Sequence, residues 1–93
     1  MKTKKHINTI SQTFEVWKTI KAKYISAIVL VRRGEHYFTF CDDAIIVNQI
    51  TSIEIISNKQ KEQQCRFLFY QFDAILSTLV RAGHRVAACD QLE

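Results

Sequence analysis

Proline is missing from this chain, and glycine occurs only twice, at Gly34 and Gly83. A linker-rich or low-complexity chain depends on such residues, so that class is excluded. Two glycines also cannot build a phosphate-binding loop or a dinucleotide fingerprint, which need several at fixed spacing. Cysteine is sparse and odd in number: Cys41, Cys65 and Cys89 stand far apart, with no CxxC and no His–Cys cluster. Neither a disulfide framework nor a zinc site is supported, which leaves buried free thiols as the reading. No apolar run approaches the roughly 20 residues a membrane-crossing helix needs. The longest, Ala27 to Val31, is of strand length. The opening MKTKKH is basic but leads into a polar helix, not an apolar signal core. The expectation is a cytoplasmic protein with no membrane partner.

Catalytic patterns are missing too. There is no nucleophile elbow, HExxH or HxE pattern. His6, His36 and His84 are scattered and read as surface residues. Asp42 and Asp43 are neighbours, so as an acid pair they would project in different directions; a helix cap accounts for them better. Residue chemistry alone therefore describes a binding or structural module, not an enzyme, with no metal and no cofactor.

What is present is enough for one small domain, residues 1–93, with residues 1–7 as a flexible basic tail. A domain this short buries only about 60–65% of its unfolded surface. Hydrophobic content of 47% and aromatic content of 11% nonetheless exceed what a disordered chain carries. The net charge of +4 favours polyanion partners, though a solvated surface explains it equally. The cations are grouped: Lys2, Lys4 and Lys5; Lys18, Lys21 and Lys23; Arg32 and Arg33; Lys59 and Lys61; Arg81 and Arg85.

Hydrophobic spacing supplies the elements. Ile7, Ile10, Phe14, Trp17, Ile20 and Tyr24 recur at steps of three and four, one face of a helix over residues 8–24. AIVLVRR is a continuous apolar run rich in β-branched residues, a central strand covered on both faces. Gly34 makes a tight turn. Glu35 to Cys41 then alternates, His36, Phe38 and Phe40 facing one way and Tyr37, Thr39 and Cys41 the other. Asp42 or Asp43 caps a short helix over DAIIVNQI, and Ser52 to Ser57 reads as a strand. Asn58 to Gln64 is polar, an exposed loop or hairpin tip, and CRFLFY is a strand. Phe72, Ile75, Leu76, Leu79 and Val80 define a helix that Gly83 ends, and HRVAAC is a last strand. The order α, β, β, α, β, β, α, β gives an α+β fold, a small mixed sheet packed with about three helices.

Two blocks carry a family resemblance. IKAKYISAIVLVRRGEHYFTFCDDA and LVRAGHRVAACDQLE are similar to the N-terminal mismatch-recognition domain of MutS proteins, with a shortened, divergent middle. The resemblance runs from about Trp17 to Glu93. It implies a small mixed αβ domain that touches a mismatched duplex from the minor-groove side. It also implies a Phe-x-Glu reader after the hairpin turn, the Phe wedging into the base stack and the Glu hydrogen-bonding a displaced base. An apolar wedge offsets unstacking by permitting a kinked duplex, and mispairs unstack most cheaply. Here the reader positions fall on His36 and Phe38, so the segment reads His-Tyr-Phe. The wedge has become a smaller, titratable ring, and a phenyl ring replaces the acceptor. Tyr37, Phe40, Asp42, Asp43 and Ala44 stand as in the family and read as scaffold.

Two functions follow. In the first, the domain binds double-stranded DNA weakly and with strong salt dependence. Lys21, Lys23, Arg32 and Arg33 contact phosphates, and His36 and Phe38 lie against the groove. In the second, the fold persists as a protein-interaction or accessory domain that docks onto the remaining domains of a MutS-like chain or onto another repair protein. His36 and Phe38 then form an apolar contact patch. Phe38 also reads simply as core packing beside Phe40, and His36 as a solvated residue near the turn. A hydrolase or nuclease lacks both a metal site and a base.

Overall fold

The computed structural model describes residues 9–57 and 62–90, with side chains from residue 12 onward. The predicted tail, residues 1–7, lies outside the described residues. Helix α1 spans Thr9–Lys23 and is followed by the hairpin of β1 (Ala27–Arg33) and β2 (His36–Phe40). Helix α2 covers Cys41–Thr51, and strands β3 (Ile56–Ser57) and β4 (Gln63–Leu68) follow. A single 3-10 turn at Phe69–Gln71 leads into α3 (Phe72–Arg81), and β5 (Arg85–Asp90) completes the sheet. The sheet order is β3-β4-β2-β1-β5, with β5 parallel to β1 and the other pairings antiparallel. The α+β class and the mixed sheet are as expected.

The alternation in β2 sorts two cores. Phe38 and Phe40 face α1, where they pack with Trp17, Val29 and Val31. Tyr37 faces the other side and packs with a core built from Ile28, Leu30, Val47, Phe67, Ile75 and Leu79 beneath α2 and α3. Val29, Leu30 and Val31 are fully buried, because β1 lies between two strands and under helices on both faces. Gly34 opens the two-residue turn at φ 65°, a left-handed conformation that costs glycine little. Gly83, at φ 95°, ends α3: its N–H bonds Val80 O at 2.9 Å and that of His84 bonds Leu79 O at 3.1 Å. This pair of bonds satisfies carbonyls the helix end would leave orphaned.

Several boundaries move. Tyr24 lies past the end of α1 and is 54% exposed, because the chain turns toward β1 there. Cys41, expected on β2, has φ 54° and starts α2, so the strand ends at Phe40. Only Ile56–Ser57 of the expected Ser52 to Ser57 strand pairs with a neighbour. β4 begins at Gln63, inside the segment read as a loop, and stops at Leu68. Gln64 is buried there opposite Phe40.

The largest departure concerns the acidic pair. No side chain caps α2, whose N-cap position is Phe40. Asp43 instead turns into the protein and is 2% exposed. The reason lies in the sheet. β1 and β2 pair only from Val31↔Phe38 to the turn, and past that point β2 stays with β4 and leaves β1. Val29, fully buried, faces the resulting gap. Its N–H donates to Asp43 Oδ2 at 3.0 Å, and its carbonyl accepts from Trp17 Nε1 at 3.0 Å. Two side chains thus replace the missing strand, as a buried backbone requires.

Candidate nucleic-acid interface

Strand register places the predicted site residues. Arg33 lies directly across the turn from His36, and both face the α1 side of the sheet. His36 in turn pairs with Leu68 on β4, and Phe38 with Arg66. One patch at the hairpin end of this face therefore holds Arg33, His36, Arg66 and Leu68. Arg66 is exposed, and His36 and Arg33 are half-buried. Arg33 Nη2 reaches Gln12 Oε1 at 3.3 Å, which ties the patch to α1.

Phe38 has a different position. It is 6% exposed, its ring stacks on Phe40 at 6.4 Å, and the tilted His36 ring sits over it at 6.1 Å. Phe38 thus forms the floor beneath His36, and the packing reading of this residue is the one its burial matches.

Arg32 faces the opposite side, in register with Tyr37. Its Nε donates to Gly34 O at 3.0 Å, and its guanidinium lies over the Phe69 ring at 4.4 Å. Burial pushes the Tyr37 hydroxyl above its usual pKa; Arg32 acts against this, whereas Asp90 and Asp73 add to it. Arg32 therefore works among carboxylates, while Arg33 and Arg66 share the other face.

The two lysines lie at the far end of β1, about 20 Å from the hairpin turn at 3.3 Å per residue. Lys21 Nζ donates to Ala27 O and, at 2.9 Å, to Asp43 Oδ1. It thereby neutralises the carboxylate that fills the gap beside β1. Lys23 is exposed at the end of α1, on a groove that also involves Tyr24, Ile25 and Arg85. The structure thus brings together Arg33 and His36 but not the lysines, and it adds Arg66. The signal for Arg66 was in the sequence: it is the polar position between Cys65 and Phe67, both buried, in an alternating strand. Its partner became visible only with the register.

Among the described residues, no three His, Cys, Asp or Glu side chains gather as metal ligands, and no helix is long and apolar enough to cross a membrane. The hairpin end of the α1 side of the sheet carries two guanidiniums flanking an imidazole. The sequence profile of the family described as MutS domain I matches residues 11–93. The chain belongs to the MutS domain I family. It is 44% identical over 78 residues to the DNA mismatch repair protein MutS of Phocaeicola vulgatus, covering 80% of this chain and 9% of that protein. The MutS of Porphyromonas gingivalis is 42% identical over 78 residues, with the same coverage. That of Ehrlichia ruminantium is 31% identical over 86 residues, covering 92% of this chain and 11% of the relative. The chain thus spans about a tenth of the length of these curated relatives. MutS domain I is the mismatch-recognition domain of the mismatch repair proteins, and it is non-catalytic.

Proposed function

We propose that this chain is a DNA-contacting module of mismatch-repair type in which the reading step has been altered. The observation that carries the proposal is the register: Arg33 and Arg66 stand on either side of His36 at the hairpin end of the α1 side of the sheet. The two guanidiniums hold phosphates of a duplex, and His36 lies toward the groove at the wedge position. Phosphate contacts position a protein without reading sequence. Phe38 supplies a firm apolar base for the imidazole, and its carbon ring offers no acceptor to a displaced base. Lys21 is held by Asp43, and Lys23 stands at the other end of the sheet, so neither belongs to this contact. Two or three phosphate contacts give micromolar or weaker binding at physiological salt, falling steeply as salt rises.

The burial of Phe38, which withdraws that side chain from a bound duplex, supports a second reading, in which the domain is an accessory or protein-interaction module whose contact surface excludes Phe38. Its partner is then the remainder of a MutS-like chain or another repair protein.

Fluorescence anisotropy of three labelled duplexes separates these readings: one matched, one with a G·T mispair, one with an unpaired base. Salt-dependent binding equal for all three supports a phosphate-contacting face without a reader. Tighter binding to the mispair that is lost on His36→Ala makes the imidazole a substitute wedge. A folded protein that binds no duplex at low salt overturns the DNA reading and leaves the accessory one.

A further inference from the structure

The same end of the sheet carries a second feature that the mismatch-reading motif does not use. Where β4 ends, the chain makes its 3-10 turn, and two aromatic residues emerge side by side. Phe69 is 40% exposed and Tyr70 is 71% exposed. Their rings meet edge to face at 5.8 Å. The pair is held firmly: Phe69 N–H bonds Glu35 O at 2.8 Å, fixing it to the hairpin turn, and Leu68 N–H bonds Gln71 Oε1 at 3.0 Å across the 3-10 turn. Arg32, itself pinned to Gly34 O, covers the Phe69 ring from 4.4 Å. Exposed aromatic residues on a small protein normally lie singly; two adjacent rings with a guanidinium over one of them form a built surface.

We infer that Phe69, Tyr70 and Arg32 form a stacking platform for an unpaired nucleobase of single-stranded DNA. The inference rests on the proposed function only in taking the hairpin end as the DNA side. The chemistry suits that ligand class. A nucleobase has a flat π-face that stacks on an aromatic ring, and stacking tolerates any base. A guanidinium also stacks on bases while reaching a phosphate. Glu35, Asp73 and Asp90 lie on neighbouring segments, so the local positive charge is small. Binding here therefore draws on stacking more than on phosphate attraction, and its salt dependence is shallower than that of the Arg33–Arg66 patch. The two surfaces meet at the hairpin turn, so a duplex held by one presents an extruded base to the other.

The test uses the full 93-residue chain and a short thymidine oligonucleotide with one central 2-aminopurine, whose fluorescence falls when it stacks. The expected result is quenching on binding that survives Tyr70→Phe. Tyr70→Ala should remove the quenching and weaken binding by about tenfold to a hundredfold, as loss of one stacked base does. Tyr70→Leu, apolar but unable to stack, should behave like Tyr70→Ala. The environment of Trp17, the single tryptophan and buried, reports by its emission that each variant is folded. Binding without quenching, or quenching unchanged in Tyr70→Ala, overturns the platform, as does no binding of the oligonucleotide at low salt. The duplex titrations run in parallel keep the two ideas apart. Duplex binding with the single strand ignored overturns the platform alone. Tyr70-dependent quenching with the matched duplex ignored upholds the platform and overturns the duplex reading.

Discussion

The carboxylate of Asp43 stands 3.0 Å from the backbone nitrogen of Val29 and 2.9 Å from the ammonium of Lys21, so one side chain completes both a strand and an ion pair. The sheet is incomplete at that point without it, because β2 has already parted from β1.

Removing this carboxylate should therefore cost more than a helix cap. Asp43→Ala leaves a buried amide without its acceptor and the Lys21 ammonium without its counter-ion, and a loss of about 3–5 kcal/mol is expected in urea unfolding. Lys21→Met should cost at least a comparable amount, because the charge it strands, Asp43, is 2% exposed while Lys21 is 25% exposed. Lys21→Met should also leave the salt dependence of DNA binding unchanged. A flattened salt slope in that variant would place Lys21 on the phosphates.

Thr39 makes the opposite case. It is fully buried, and its hydroxyl finds no hydrogen-bond partner among the described residues. Thr39→Val keeps the branched shape and removes the cost of an unsatisfied hydroxyl, so a stabilisation of about 1 kcal/mol is expected. Equilibrium denaturation reads this directly, and a destabilised variant would show that the hydroxyl is satisfied after all.

The thiol of Cys65 predicts alkaline behaviour. It is fully buried and donates to Ala44 O at 3.2 Å. Burial pushes its pKa from 9.0 up to about 11. The unfolded thiol ionises first as pH rises, so alkali favours unfolding. The contribution of this group is constant below pH 9, is lost between about pH 9 and 11, and is level beyond. Stability measured across that window should fall less steeply in Cys65→Ala. Alkylation near pH 8 should label Cys65 only when the chain unfolds.

On the proposed contact face, Arg33→Gln and Arg66→Gln should each weaken duplex binding uniformly across sequences. Each should also reduce the slope of log affinity against log salt by about 1. Lys23→Gln, at the other end of the sheet, should leave the slope alone. A slope that responds to Lys23 but not to Arg66 would move the contact to the far end of β1.

Much of this was legible in the chain. The fully apolar Ala27 to Val31 run marked a strand covered on both faces, and the 3.6-residue period of Phe72 to Val80 marked α3, because each signal records burial on a regular element. The alternation of His36 to Phe40 also sorted its residues onto the right faces. Local pattern could not show where β2 leaves β1, which depends on tertiary pairing. That departure decides the role of Asp43, which looks like a cap in the sequence and acts as a substitute strand. It also decides that Lys21 turns inward. The interface suffered in the same way: Arg32 and Arg33 are neighbours in sequence, and the strand period sends them to opposite faces. Arg66 joined the site only through its register with Phe38.

The parallel pairing of β1 with β5 has a consequence for how the chain reaches this state. β1 lies inside the sheet, one strand in from its edge, yet one of its two neighbours is the last element of the described chain. The hairpin of β1 and β2 closes locally, within the microseconds typical of such turns. β1–β5 closure must wait for almost the whole chain, and non-local closure of this kind slows folding. On a ribosome, the most apolar strand of the domain therefore stays open along one side until β5 emerges, which makes that interval the domain's period of greatest exposure to aggregation.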